Sequence, residues 1–219
     1  MISEALMIFA KAPEPGRVKT RLELPPEQAA AVHAAFVRDV VERHRHPHRR
    51  LTVWRAGASD HPFWATLETP LAVQPEGTLG RRMEKAFRTE LASADRVVIL
   101  GTDSPSLPPR LVDAAFAALE SVPLVIGPAC DGGYYLLGMT GAVAPIFMED
   151  MAWGTEEVLR RTLDAATTAG VDYRLLDFWY DVDRPADLAL LRAHLPALHA
   201  AGEPMPQETF AACERLGLW

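Results

Sequence analysis

The sequence predicts an α/β fold, a three-layer α/β/α sandwich on a mostly parallel central sheet. Short apolar runs such as Leu6–Ala10 and Val97–Leu100 alternate with longer stretches whose apolar residues recur at helical spacing, the mark of strands interleaved with helices. The runs are apolar throughout, as in strands covered on both faces. The 219 residues hold no internal repeat, low-complexity tract or linker, so a single domain spanning residues 1–219 is expected.

The elements follow in order. Leu6–Ala10 reads as a buried strand that runs into a Pro/Gly loop over residues 11–21. A helix starts near Pro25 and Pro26, where proline is tolerated in a first turn. It carries Ala29, Val32, Ala35, Phe36 and Val40 on one face. Residues 51–54 and 71–73 read as strands. A helix spans 78–92, with Leu79, Met83, Phe87 and Leu91 four apart. Arg96–Leu100 is the clearest buried strand, and Pro108 opens a helix through Leu119. Strands follow at 124–126 and 134–137, a helix at about 155–168, a strand from Val171 to Phe178, and a helix from Pro185 to about His199.

Composition narrows the function. Apolar residues make up 49% and charged residues 23%, which excludes global disorder. The net charge of −7 argues against a nucleic-acid coat protein, although not against a local basic pocket for phosphate. No apolar run reaches the roughly 20 residues of a membrane helix. The N-terminus lacks the basic start of a secretory signal. Cys130 and Cys213 are the only cysteines and form no CxxC pair, so reduced thiols and a cytoplasmic location are expected. The oligomeric state is left open.

In open α/β sheets the ligand sits beyond the carboxyl ends of the strands. Four segments at such positions carry chemistry. The loop after the first strand holds Lys11, Arg17, Lys19 and Arg21 against one acid, Glu14, which suits a di- or triphosphate. Gly16 lets the backbone approach a ligand. The loop is not a P-loop, because Gly-Lys-[ST] is not contiguous and Pro13 and Pro15 remove backbone donors. The second segment, Gly101–Pro105, places Asp103 at a strand end, where magnesium or manganese is held by one or two carboxylates and substrate phosphates; the plainer alternative is a turn or helix cap. Ser104 lacks a G-x-S-x-G elbow and is a weak nucleophile candidate.

The third segment is Cys130–Tyr135. Gly132 and Gly133 permit close backbone approach, Asp131 is a candidate base or acceptor-orienting group, and Tyr134 a stacking surface. The plainer reading is a tight hairpin with core tyrosines and a buried, inert Cys130. The fourth is Tyr180–Pro185. Asp181 and Asp183 alternate and project alike from extended backbone, so at least one, with Asp183 preferred, is expected to complete a metal site with Asp103; helix capping is the competing role. Trp153 is a candidate wall of the acceptor pocket. The run Arg43–Arg50, with three histidines and four arginines, reads as an exposed helix end and loop. Arg81 and Arg82 read as decoration of a helix face.

Taken together, FAKAPEPGRVKTRL at 9–22, PEGTLGRRMEKAF at 75–87, LGTDSPSLP at 100–108, GPACDGGYYLLGM at 127–139, WGT at 153–155 and DVDRPADL at 181–188 resemble the DUF2064 family of nucleotide-diphospho-sugar transferase-like proteins. Some of its members are described as glycosyltransferases linked to arsenosugar biosynthesis. The ending DVD-x-P-x-DL is also similar to that of phospholactate guanylyltransferases. The resemblance implies a GT-A fold binding a nucleotide with a divalent metal, Mg²⁺ or Mn²⁺. It implies that the first segment is the nucleotide loop, with fewer glycines and more prolines than the usual glycine-rich loop. It also implies that Asp103 is the metal-binding aspartate and Asp183, with Asp181 nearby, the second acidic position.

The expected partners are therefore a nucleotide or NDP-sugar donor and a small-molecule acceptor. The preferred activity is glycosyl transfer, with Asp131 and Asp103 as catalytic residues. The alternatives are nucleotidyl transfer with release of pyrophosphate, and a non-catalytic nucleotide-binding protein on the same scaffold.

Overall fold

The computed structural model describes residues 2–219. Its centre is a seven-stranded sheet of β1 (Glu4–Lys11), β2 (Arg49–Ala56), β3 (Leu71–Val73), β4 (Arg96–Leu100), β5 (Leu124–Pro128), β6 (Tyr134–Thr140) and β7 (Tyr173–Leu175). The spatial order is β3-β2-β1-β4-β6-β5-β7. All pairings are parallel except those of β6, which runs antiparallel to β4 and β5. The helices are α1 (Pro26–Arg43), α2 (Leu79–Leu91), α3 (Pro109–Ala118), α4 (Val158–Thr168), α5 (Pro185–Ala200) and α6 (Gln207–Arg215).

The alternation of side chains along a strand divides the core. In β1, Leu6, Ile8 and Ala10 pack with Val37 and Val40 of α1 and with Leu111 and Phe116 of α3. Ala5 and Met7 face the other way, toward Met83 and Phe87 of α2 and Ala166 of α4. Every residue of β4 and β5 is buried, which is why these strands read as unbroken apolar runs. A third cluster joins Phe36 of α1 to Leu188, Leu191 and Leu195 of α5 and Cys213 of α6.

Four features depart from the sequence reading. The strand expected over Val171–Phe178 is regular only at Tyr173–Leu175, and the helix expected from 155 begins at Val158. Helix α6 was not anticipated; Asp39 of α1 caps its start, accepting from the Glu208 and Thr209 amides at 3.1 and 2.7 Å. The run Arg43–Arg50 is not simply an exposed end. His44 is 3% exposed, and Arg49 lies over the Phe116 ring while pairing with Glu4 and Asp113.

The topology also fixes the place of the site. Crossovers from β1 lead outward to β2 and β3, and the chain then returns to β4 on the other side of β1. The sheet thus reverses its winding between β1 and β4, and a crevice opens beyond their carboxyl ends.

Candidate active site

A cavity of about 400 Å³ occupies that crevice, within the range of small-molecule sites. Its floor is Phe9–Lys11 of β1, Ile99–Asp103 at the end of β4, and Tyr134–Leu137 of β6. One wall is the loop Arg17–Arg21, with Asp183 beside it. The other is Gln74 with Leu79, Arg82 and Met83 of α2.

At the loop end lies a charge cluster. The Lys19 ammonium donates to Asp103 Oδ1, to Asp183 Oδ1 at 3.0 Å and to the Val182 carbonyl at 2.8 Å. Arg21 donates to Asp183 Oδ2. The Val182 amide bonds the Asp103 carbonyl at 2.8 Å, which ties the two acidic loops together. Burial alone lowers a lysine, but the two carboxylates outweigh it and hold Lys19 above the usual lysine value. Desolvation opposes ionisation of Asp103, yet the Lys19 charge and hydrogen bond keep it below the usual carboxylate range. The Asp103 side chain is 47% exposed, and its Oδ2 has no partner among the described residues.

The remaining predicted residues divide. Lys11, Arg17, Lys19, Arg21, Asp103, Tyr134 and Asp183 line the cavity; Gly16, Asp131, Gly132, Gly133, Trp153 and Asp181 do not. Asp181 turns to the Ser104 hydroxyl, 2.5 Å away. Desolvation and the neighbouring Asp103 charge push its carboxyl up to about 7. Asp131 is exposed, and its Oδ1 accepts from the Gly133 amide at 2.9 Å. Gly132 has φ 89°, and a Cβ there would strike the Glu156 backbone, so this glycine is required by packing. Trp153 stands edge-on to Tyr134 and against Gly80, where a Cβ would come 2.6 Å from its ring. Cys130 is exposed and not buried as expected; desolvation and the charges of Asp181 and Asp131 raise its thiol. Helix capping falls to Asp187, whose carboxylate accepts from the Asp183 and Arg184 amides.

Three cavity residues escaped the sequence reading. Gln74 follows β3 directly, the signal that should have marked it; its Nε2 donates to the Trp54 carbonyl at 2.8 Å. Among the described residues its Oε1 accepts no hydrogen bond. Arg82, read as decoration, donates Nε to the Gly77 carbonyl and lines the cavity. His33 contacts the Lys11 carbonyl at 3.1 Å through Nε2, and its buried Nδ1 has no partner among the described residues. Burial foremost holds it below the usual histidine value. It resembles any core residue of α1 in sequence, and no spacing rule would have found it.

A family model described as "Uncharacterized protein conserved in bacteria (DUF2064)" matches residues 37–155. A solved structure from Desulfovibrio desulfuricans G20 superposes with a TM-score of 0.81 at 32% identity, over 89% of this chain and 88% of that one. That protein carries the provisional assignment of nucleotide-diphospho-sugar transferase.

The chain belongs to the DUF2064 family.

This DUF2064 protein also shares its fold with more distant structures. One is CMP:2-keto-3-deoxy-manno-octonic acid synthetase complexed with CTP (TM-score 0.58, 14% identity, 89% of this chain and 99% of that one). Another is a cytidylyltransferase from Leptospira borgpetersenii serovar Hardjo-bovis (TM-score 0.54, 10% identity, 99% and 96%). No curated protein matches the chain. Among the described residues, no helix is long and apolar enough to cross a membrane.

Proposed function

We propose that this DUF2064 protein is a transferase that uses a nucleotide-activated donor with a divalent metal, transferring a sugar from an NDP-sugar to a small acceptor. The observation that carries the reading is the cluster of Lys19, Arg21, Asp103 and Asp183 at one end of a cavity at the sheet's switch point. Lys11 and Arg17 extend its cationic side. Such a grouping suits a diphosphate. The apolar lining of Phe9, Leu79 and Met83, with Gln74 and Arg82 offering hydrogen bonds, suits a nucleoside.

The residues present fit Mg²⁺ or Mn²⁺. Two carboxylates and a main-chain carbonyl converge on one cation, the Lys19 ammonium, and hard divalent ions take oxygen ligands of this kind. Among the described residues no third Asp, Glu, His or Cys joins such a group, so Asp103 and Asp183 would hold the ion and phosphate oxygens complete its shell. When bound, the ion supplies Lewis-acid stabilisation of charge on the phosphates.

The chain's own residues do the rest. Lys11 and Arg17 hold the diphosphate and stabilise the negative charge it gains as the bond to the anomeric carbon breaks. The acceptor oxygen forms the new bond to that carbon and gives up its proton. Asp131 is kept as the candidate base, and Asp181, whose carboxyl titrates near neutrality, is the second candidate on the same side. The relative at 32% identity supports sugar transfer.

Nucleotidyl transfer is the second reading. It is favoured by the position of Asp131 and Trp153 outside the cavity, because attack on the α-phosphate needs neither of them there. The test is incubation with Mn²⁺ or Mg²⁺, panels of NDP-sugars and NTPs, and candidate acceptors. Free NDP marks sugar transfer and pyrophosphate marks nucleotidyl transfer. Asp103→Asn should abolish either, and full turnover in that variant removes the metal reading. Binding without turnover across the panels would leave a nucleotide-binding protein.

A further inference from the structure

The state of Lys19 carries a consequence for how the metal enters. An ammonium has three N–H donors, and all three of Lys19's are spent, on Asp103, Asp183 and Val182. None is left for a phosphate. The side chain is 2% exposed, and its charge lies 5.1 Å from the centre of the Phe36 ring. The backbone is bent to bring it there: Lys19 has φ 48° and ψ 34°, left-handed values that non-glycine residues seldom adopt and that concentrate at functional sites. A charge count agrees. Two carboxylates face two cations, Lys19 and Arg21, so the cluster is neutral as it stands. A divalent ion added alone would leave it at +2, whereas an ion arriving with a diphosphate would not.

We propose that Lys19 is the resident cation of the Asp103–Asp183 pair, holding the place of a divalent ion in the nucleotide-free protein and yielding it when metal and nucleotide arrive together. The proposal rests on the metal and nucleotide reading above. It makes Lys19 bifunctional: a ligand of the carboxylates before binding and a phosphate cation afterwards. The coupling between metal and nucleotide is reciprocal, because each removes the charge penalty of the other.

The test uses Lys19→Gly. Glycine adopts the left-handed backbone without cost, so the variant removes the ammonium while favouring the loop's shape. Mn²⁺ is the metal probe, and inorganic pyrophosphate stands in for a diphosphate independently of the base. Binding is read by the electron paramagnetic resonance of free Mn²⁺ and by thermal melting. In the wild type, Mn²⁺ alone should leave the melting temperature unchanged, and pyrophosphate should raise Mn²⁺ affinity by about tenfold or more. Lys19→Gly should melt lower by on the order of 10 °C, since two facing carboxylates lose their counter-ion. Mn²⁺ alone should restore most of that loss and bind about tenfold or more tighter than to the wild type.

Equal Mn²⁺ affinity in the two proteins without pyrophosphate overturns the role of Lys19 and leaves the metal reading intact. Absence of Mn²⁺ binding to both, with and without pyrophosphate, overturns the metal reading itself and the proposal with it. If Lys19→Gly does not fold, Lys19→Asn serves, because asparagine tolerates the left-handed backbone better than most residues and carries no charge. Its Mn²⁺ affinity should also rise, and no rise overturns the proposal.

Discussion

Asp181 offers a direct thermodynamic test of the acidic loops. Desolvation, reinforced by the Asp103 charge, raises its carboxyl from 3.8 to about 7. The folded protein therefore holds this proton more tightly than the unfolded chain does. Stability from this group is greatest below about pH 4, falls as pH rises toward 7, and is level above it. At about 1.4 kcal/mol for each pH unit the ceiling is about 4 kcal/mol. The side chain is only half-buried, so water moderates the cost. About three-fifths of the change falls between pH 5 and pH 8, and roughly 1–2 kcal/mol is expected there. Asp181→Asn cannot ionise, and its amide oxygen can still accept from Ser104. Urea denaturation of both proteins, with chelator, at pH 5 and pH 8 reads the difference. The variant should gain stability over the wild type as pH rises. The histidines are common to both proteins, so their contributions cancel in the comparison. Parallel pH profiles, or a variant that loses ground at pH 8, would refute the assignment.

Other perturbations have equally definite signs. Burial, aided by the Arg43 and Arg49 charges, lowers His44 to about 3; its stabilising neutral state is complete above about pH 6.5 and is lost as pH falls toward 3. His44→Leu should flatten the acid side of the stability profile, with an advantage of up to about 2 kcal/mol at pH 5 relative to pH 8, read by urea titration. Gly132→Ala must relax a left-handed backbone and a collision with Glu156, and should destabilise by at least ~2 kcal/mol in the same assay. Arg17→Ala removes a side chain that is 76% exposed; melting should be unchanged, while KM for the nucleotide donor rises and its salt dependence weakens.

The fold was legible where burial is uniform. β4 and β5 are covered on both faces, so their apolar runs could be read as strands without any partner in view. The direction of β6 was not legible. Its sequence is as apolar as that of a parallel strand, and only the short loop after Pro128, a hairpin candidate, hints that it turns back. Helix α6 was missed because its stability comes from outside its own sequence: Asp39, on α1, caps it from far away in the chain, and its buried face is only Thr209, Ala212 and Cys213.

The site was legible in residue type but not in arrangement. The rule that ligands sit beyond the strand ends found Lys19, Asp103 and Asp183 because each follows or precedes a recognisable element. It assigned Lys19 to the phosphate because a basic loop contains no information about which anion it meets first. That choice is made by the left-handed turn at Lys19, which no glycine announces, and by the Val182 amide binding the Asp103 carbonyl. Together they set a lysine between two aspartates that sequence reasoning had reserved for a metal. The two readings are reconciled if the same oxygens serve both cations in turn, since an ammonium with three donors and a hard divalent ion ask for the same ligands. What separates them is charge: one cation balances the resting cluster, and the other balances it only when a diphosphate is present. On the proposed function, a nucleotide loop that carries its own counter-ion would need no empty carboxylate pair at rest, and its metal affinity would be a property of the bound nucleotide.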